Sequence, residues 1–223
     1  MSQREQRKQE KRHRILKNAL ELFSVHSYSG TSMDAIAAAA DISKPTLYDY
    51  FGNKEGLFSA VLEKATDELL EPFRQLEGKG MVALMVEFAW QYADFVLRPD
   101  MLSLSRLVIG EAERFPDVGQ RFHEAGPQQA LTGIIRFLEQ HRAEGSLEFT
   151  DGELAANDFW SLILSTPRDL YLHMPGTNLS KQQIGRYIYN GLRVFLMGYA
   201  KNTRQQLKDL ETHWCSTQPT KGN

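Results

Sequence analysis

The chain has 223 residues, 42% of them hydrophobic and 24% charged, with a formal net charge of −2, a balance that places it among folded globular proteins and excludes disordered and collagenous compositions. Its single cysteine, Cys215, excludes an internal disulfide and a multi-cysteine zinc site, which fits a reducing cytoplasm. No apolar run reaches the roughly 18 residues that span a bilayer, and no apolar stretch follows the charged start as an export signal requires, so neither a membrane partner nor export is expected.

Charge is unevenly spread. Residues 1–17 hold seven Lys or Arg (Arg4, Arg7, Lys8, Lys11, Arg12, Arg14, Lys17) against Glu5 and Glu10, a local +5 that leaves −7 for the remainder. A basic arm on an acidic body suits a protein with one end facing phosphates, although a basic run taken alone reads equally as a solvated terminus. Nearly every later segment carries apolar residues at helical spacing, and alternation is confined to fragments such as 146–149, which predicts an all-α fold. After the arm, Ile15, Ala19, Leu22 and Phe23 form the stripe of a first helix that stops around residues 26–30. Thr31, with Asp34 three residues on, matches a capping box opening a short second helix over 33–40, whose run of alanines lets another helix approach closely. Ser43 is the next N-cap, and Pro45 fits the first turn of a third helix over 44–51. Gly52 and Asn53 end it, and Asn53 can cap a fourth helix with Leu57, Val61, Ala65 and Leu69 on its apolar face, ending near Pro72.

Downstream, 81–96 is amphipathic with Leu84, Phe88, Tyr92 and Phe95 on one side, and Pro99 ends it. Pro116 closes a segment containing Met101, Leu104 and Val108, whereas Pro127 and Pro167 lie inside helical patterns and should kink them or mark boundaries. The last strong pattern is Ile184, Tyr187, Ile188, Gly191, Leu192, Phe195 and Tyr199, capped by Ser180, and residues 214–223 read as a disordered tail. With no Pro-rich or Gly/Ser-rich linker, the boundary is drawn at the fourth helix: an N-terminal three-helix domain over 1–55 and a C-terminal helical domain over 56–213.

The stretch 31–57, TSMDAIAAAADISKPTLYDYFGNKEGL, is the informative one. Two short helices separated by about three residues form a helix-turn-helix, the geometry in which a second helix enters a major groove. Such a pair also occurs as a plain structural corner. Here Ile36, Ile42 and Leu47 should lock the pair and turn the start of helix three outward, where Ser43, Lys44 and Thr46 are donors to phosphate or base edges. Pro45 and the Thr46 methyl can meet a thymine methyl, Tyr48 and Tyr50 can bond phosphates, and Lys54 adds a charge at a helix start that already favours anions.

This segment resembles the DNA-binding region of the TetR (tetracycline-repressor-like) family, on Thr31, Ile36, Ala37, Ala40, Ser43, Leu47, Tyr48, Tyr50, Phe51, Lys54, Glu55 and Leu57. The resemblance covers about residues 10–62. It implies a DNA surface of Thr31, Ser43, Lys44, Pro45, Thr46, Tyr48, Tyr50 and Lys54. Asp41 stands where the family usually has glycine, and aspartate tolerates the left-handed turn better than most residues. A second stretch, EAERFPDVGQRFHEAGP, resembles the AefR-like subgroup, which implies a ligand-responsive C-terminal domain.

For that domain two readings of the aromatics and methionines stand: core, favoured position by position, and walls of an apolar cavity. Phe88, Tyr92, Phe95, Met101 and Trp160, with Arg106 and His123 as polar groups, are the expected effector residues, and Glu111 and Asp158 could also orient a ligand. A helix apolar on more than one flank points to a homodimer through Ile188, Gly191, Leu192 and Phe195. Gly-rich phosphate loops, Gly-x-Ser-x-Gly and His-Glu-x-x-His are absent from the sequence, and His141 with Glu144 reads as a solvated pair, so no enzyme, cofactor or metal is expected. The expected function is a one-component regulator, a repressor by resemblance, that binds a palindromic double-stranded DNA operator as a dimer and is released by a small apolar or amphipathic effector. The alternative is a DNA-binding regulator whose second domain binds a protein partner and no small molecule.

Overall fold

A computed structural model describes residues 3–74 and 80–217, and among these the chain forms eleven α-helices. In order they are α1 (Gln3–Gly30), α2 (Met33–Ala39), α3 (Lys44–Phe51), α4 (Lys54–Arg74), α5 (Met81–Val96), α6 (Pro99–Glu111), α7 (Pro116–Ala125), α8 (Pro127–Ala143), α9 (Gly152–His173), α10 (Lys181–Tyr199) and α11 (Thr203–Thr217). The all-α expectation holds, and the extended fragment at 146–149 contributes a single antiparallel bridge between Leu147 and Ala200. Packing divides the helices into two units. One takes the chain up to Glu68 together with Arg98–Gln128, and the other takes Leu69–Leu97 together with everything from Gln129 on.

The cut expected near residue 55 therefore does not follow the packing. α4 stays with the first unit through Glu68, and so do α6 and α7, because α6 packs on α1 and buries Met101, Leu102, Leu104 and Val108. Within this unit α1 absorbs the basic arm as helix, then kinks at Ser27 (φ 66, ψ 168), a conformation nearly reserved for glycine. The kink returns the Tyr28 ring to Phe23 (5.7 Å between centroids) and Phe58 (5.1 Å). Thr31 is not the cap of α2. It lies one residue too early and is buried, its hydroxyl donating to the carbonyls of Leu22 (3.1 Å) and Ser27 (2.7 Å), while Ser32 Oγ accepts from the Ala35 N–H. Asp41 takes φ 51 in the α2–α3 turn, as its place in the pattern requires. Ser43 caps α3, and Asn53 Oδ1 accepts from Gly56 N–H at 2.7 Å to cap α4. Gly56 is needed there, since a Cβ would stand 2.2 Å from the Phe51 carbonyl oxygen. Leu57 and Val61 are buried as expected, and the side chains of Ala65 and Leu69 lie outside the described residues. α4 continues past Pro72 to Arg74.

The second unit is a helical layer around Phe88, Tyr92, Phe159, Ile163, Ile188, Leu192 and Phe195. Pro116 and Pro127 open α7 and α8 instead of interrupting helices, the position where a missing N–H costs nothing, whereas Pro167 lies inside α9. Ser180 and Gln183 form a reciprocal capping box at the start of α10. The tail expected from 214 is helical through Thr217, with Trp214 stacked on Trp90 at 5.6 Å; residues 218–223 lie outside the described residues. His141 is buried, not solvated: it bonds Glu144 at 2.8 Å and meets the Phe137 ring edge-on.

α9 and α10 cross with their backbones nearly touching at Gly191, where an added Cβ would lie 2.2 Å from the Leu162 carbonyl oxygen. Gly191→Ala should therefore cost about 1–3 kcal/mol of stability through overpacking, while Gly198→Ala, which faces open space on the same helix, should be neutral or stabilising by up to about 1 kcal/mol. Thermal melting of the two variants checks this, and equal melting temperatures would contradict the crossing.

Candidate nucleic-acid interface

Leu47 and Ile36, both fully buried, lock α3 against α2 and leave Ser43, Lys44, Pro45 and Tyr48 at the surface. Ser43 Oγ accepts from Thr46 N–H at 3.4 Å and shares a 2.7 Å hydrogen bond with Thr46 Oγ1, so the two hydroxyls orient each other. Lys44 Nζ lies 2.7 Å from Asp34 Oδ1 on α2, and that hydrogen bond and charge hold the ammonium above its ordinary range. Tyr50 is half-buried beside Phe51. Lys54 Nζ sits 4.4 Å from the centroid of the Tyr28 ring, and its partial burial lowers its pKa against the opposing pull of Glu111 and Glu55. Thr31, buried under α1, has no surface to offer a ligand. Sequence reasoning used Asp34 only as half of a capping box and gave Arg12, whose guanidinium lies 5.7 Å from the Phe51 ring, only to the basic arm.

The base of this interface is fixed by a polar cluster. Glu111, at the end of α6, accepts from Ser29 N–H at 3.2 Å and from Ser29 Oγ at 2.9 Å. Desolvation works against its charge, but the Ser29 and Ser27 hydrogen bonds and the nearby Lys54 outweigh it and hold the carboxyl below its usual range. Tyr28 donates to Glu55 Oε1 at 3.1 Å, and Arg121 reaches Ser59 at 3.4 Å. Glu111 is thus occupied in bracing the kinked end of α1.

The expected effector residues are only partly brought together. Phe88 stacks on Tyr92 (5.8 Å) and on Phe159 (5.9 Å), and Trp160 meets Tyr92 edge-on at 5.1 Å. Phe95 and Trp160 pack against the same core; burial pushes the Tyr92 phenol pKa up. Met101, Arg106 and His123 belong to α6 and α7 in the first unit, Met101 in its core and His123 exposed. Asp158 accepts from the Tyr199 hydroxyl at 2.5 Å. The second unit also carries an open groove of about 590 Å³ lined by Leu179, Gln183, Arg186, Tyr189, Asn190 and Trp214, none of which the sequence singled out for a ligand.

The dimer residues need correction. Ile188, Leu192 and Phe195 are at most 1% exposed within the single chain, and Gly191 serves the α9 crossing, so none can face a partner without unpacking the core. The apolar side chains that α10 does present are Tyr187, Val194 and Met197, at 39%, 38% and 56% exposure, with Leu154 and Leu162 exposed on α9. Removing the Glu111 carboxylate should loosen the α1 corner: Glu111→Ala is expected to lower stability by about 1 kcal/mol and to speed hydrogen exchange at the Ser29 amide, and unchanged exchange there would exclude the brace.

Residues 15–61 match the family described as bacterial regulatory proteins, tetR family, and residues 83–201 match the AefR-like transcriptional repressor, C-terminal domain. A TetR-family transcriptional regulator from Mesorhizobium loti MAFF303099 superposes with a TM-score of 0.75 at 26% identity, covering 86% of this chain and 97% of that one. The flavonoid-responsive regulator FrrA superposes with a TM-score of 0.68 at 33% identity, over 86% of this chain and 98% of its own. The HTH-type transcriptional regulator UidR of Escherichia coli K12 is 40% identical over 77 residues, which is 34% of this chain and 39% of UidR. That match therefore spans about two fifths of the curated relative's length, whereas the structural likeness runs nearly end to end. All three are regulators and none is an enzyme. The helix-turn-helix and the helical second unit together place this chain in the tetR family of bacterial transcriptional regulators, with a C-terminal domain of the AefR-like kind.

Proposed function

We propose that the chain is a one-component repressor that binds a palindromic operator as a homodimer and is released by a small apolar or amphipathic effector. The observation that carries this reading is the exposed first turn of α3, where Ser43, Lys44, Pro45 and Tyr48 stand out from a pair locked by buried Ile36 and Leu47. A helix N-terminus presenting donors and a methyl suits a major groove, with Thr46, Tyr50 and Lys54 behind it and the basic start of α1 supplying phosphate attraction. Repression is favoured by the AefR-like repressor description of residues 83–201. Release by an effector is favoured by the AefR-like second domain and by the likeness to FrrA, a flavonoid-responsive regulator.

Pairing of two copies would place two α3 helices about 34–36 Å apart, one turn of DNA. The face we assign to it is the exposed stripe of Tyr187, Val194 and Met197, spaced seven and three residues along α10 so that they share one side. An effector acts only to the extent that it prefers the conformation that fits DNA poorly, with a coupling of about 1–3 kcal/mol, and operator DNA must then weaken effector binding by the same factor.

Selection of duplexes from random sequence by the purified protein tests the reading directly, and failure to enrich a palindrome would refute it. On the selected duplex, Lys44→Ala should weaken binding by about 1–3 kcal/mol per protomer if the lysine meets a base, or flatten the salt dependence by about one unit per protomer if it meets a phosphate. Val194→Arg combined with Met197→Arg should convert dimers to monomers in sedimentation, and a dimer of unchanged stability would remove α10 from the interface.

A further inference from the structure

The pair of helices that faces DNA in this reading is itself acidic. Residues 33–51 contain one cation, Lys44, against Asp34, Asp41 and Asp49, whereas residues 1–17 carry +5. Attraction to the phosphate backbone is thus supplied from outside the reading element, and the single cation inside it is paired. Asp34 is in the first turn of α2, but the capping bond there is made by Ser32, so its carboxylate is available to Lys44, which it meets at 2.7 Å. Both side chains are more than half exposed, at 65% for Asp34 and 54% for Lys44, which puts the pair on the outer surface beside Ser43. An exposed ion pair adds little to stability. Its consequence lies in what can approach it.

An ammonium has three donors, and with one given to Asp34 the others can still meet neutral acceptors such as guanine O6 and N7. A phosphate arriving at the same nitrogen brings a full negative charge close to the Asp34 carboxylate, and the repulsion is relieved only if the ion pair opens. Resting on the DNA-reading role proposed above, we propose that Asp34 is a specificity-determining residue: it holds Lys44 in an ion pair that a base edge can join but a backbone phosphate must break. Asp34 thereby weakens binding to arbitrary duplexes more than binding to the operator.

The test compares wild type with Asp34→Asn, which keeps the size of the side chain and removes its charge. Each protein is titrated across a salt series with two probes: a duplex that wild type selects from random sequence and an unrelated duplex of equal length. Freeing Lys44 should tighten binding to the unrelated duplex about three- to fivefold per protomer near 0.1 M salt and steepen its salt slope by about 0.9 per protomer, so by about 1.8 for a bound dimer, the increment for one phosphate contact from each copy. The selected duplex should change less, so the preference for it falls several-fold. In a Lys44→Met background Asp34→Asn should no longer alter the slope, and Asp34→Glu should behave as wild type. An unchanged slope and affinity for the unrelated duplex, or equal tightening on both duplexes, would overturn the role of Asp34 while leaving the DNA-reading role intact. A wild type that selects no sequence would defeat the DNA-reading role itself, before any variant is compared.

Discussion

Helices of seven and eight residues cannot hold themselves in water, since nucleation costs more than so few hydrogen bonds return. α2 and α3 are of that length, and their geometry is imposed by what surrounds them. The governing contact is a cluster of three rings, Phe23 and Tyr28 from α1 and Phe58 from α4, with centroids 5.1–5.7 Å apart. It closes only because α1 bends at Ser27, and the bend is held by hydrogen bonds from Ser29 to Glu111 and from Thr31 to Ser27 and Leu22. Offset and edge-on ring pairs add to the burial of their area. The exposed turn at Ser43 inherits its orientation from an apolar contact that never reaches the surface.

The same unit contains α6 and α7, whose chain neighbours α5 and α8 belong to the other unit. Both ends of this inserted segment are covalently continuous with the second unit, and within the first it is tied by Glu111 to the α1 corner and by Arg121 to Ser59 on α4. The motif beginning at Glu111, which carries the AefR-like resemblance, forms a corner here: a Cβ at Gly119 would stand 3.2 Å from the Ala112 side chain, and Phe115 N–H bonds the Glu111 carbonyl at 2.7 Å.

Local grammar was legible in the sequence, and tertiary allocation was not. Caps at Ser43, Asn53 and Ser180, the left-handed Asp41, buried Leu57 and Val61 on α4 and the apolar face of α5 follow from rules that act within a few residues, and the structure has them. Thr31 was misassigned because a threonine and a serine stand side by side, and only the burial of Thr31 decides which of them caps α2. Ile188, Leu192 and Phe195 were assigned to a partner because an apolar stripe on one helix does not say which neighbour covers it; α9 of the same chain does. The partners of Glu111 and Asp34 were missed for a common reason. Each finds its partner 82 or 10 residues away, and periodicity carries no information about charge pairing over such distances.

The small bridge at Leu147 has a reach larger than its size. It pairs the connection before α9 with the connection after α10, through Glu148 N–H to the Tyr199 carbonyl (2.9 Å), Lys201 N–H to the Ser146 carbonyl (3.1 Å) and the Gln206 side chain to the same oxygen (2.9 Å). α9 and α10 are thereby closed at their open end into a loop that cannot fray one helix at a time, while Gly191 fixes their crossing. Such closure favours opening of the two helices as one cooperative unit. The amides of α9 and α10 would then share one opening free energy, and the slowest motion of the second unit would be the release of both helices together.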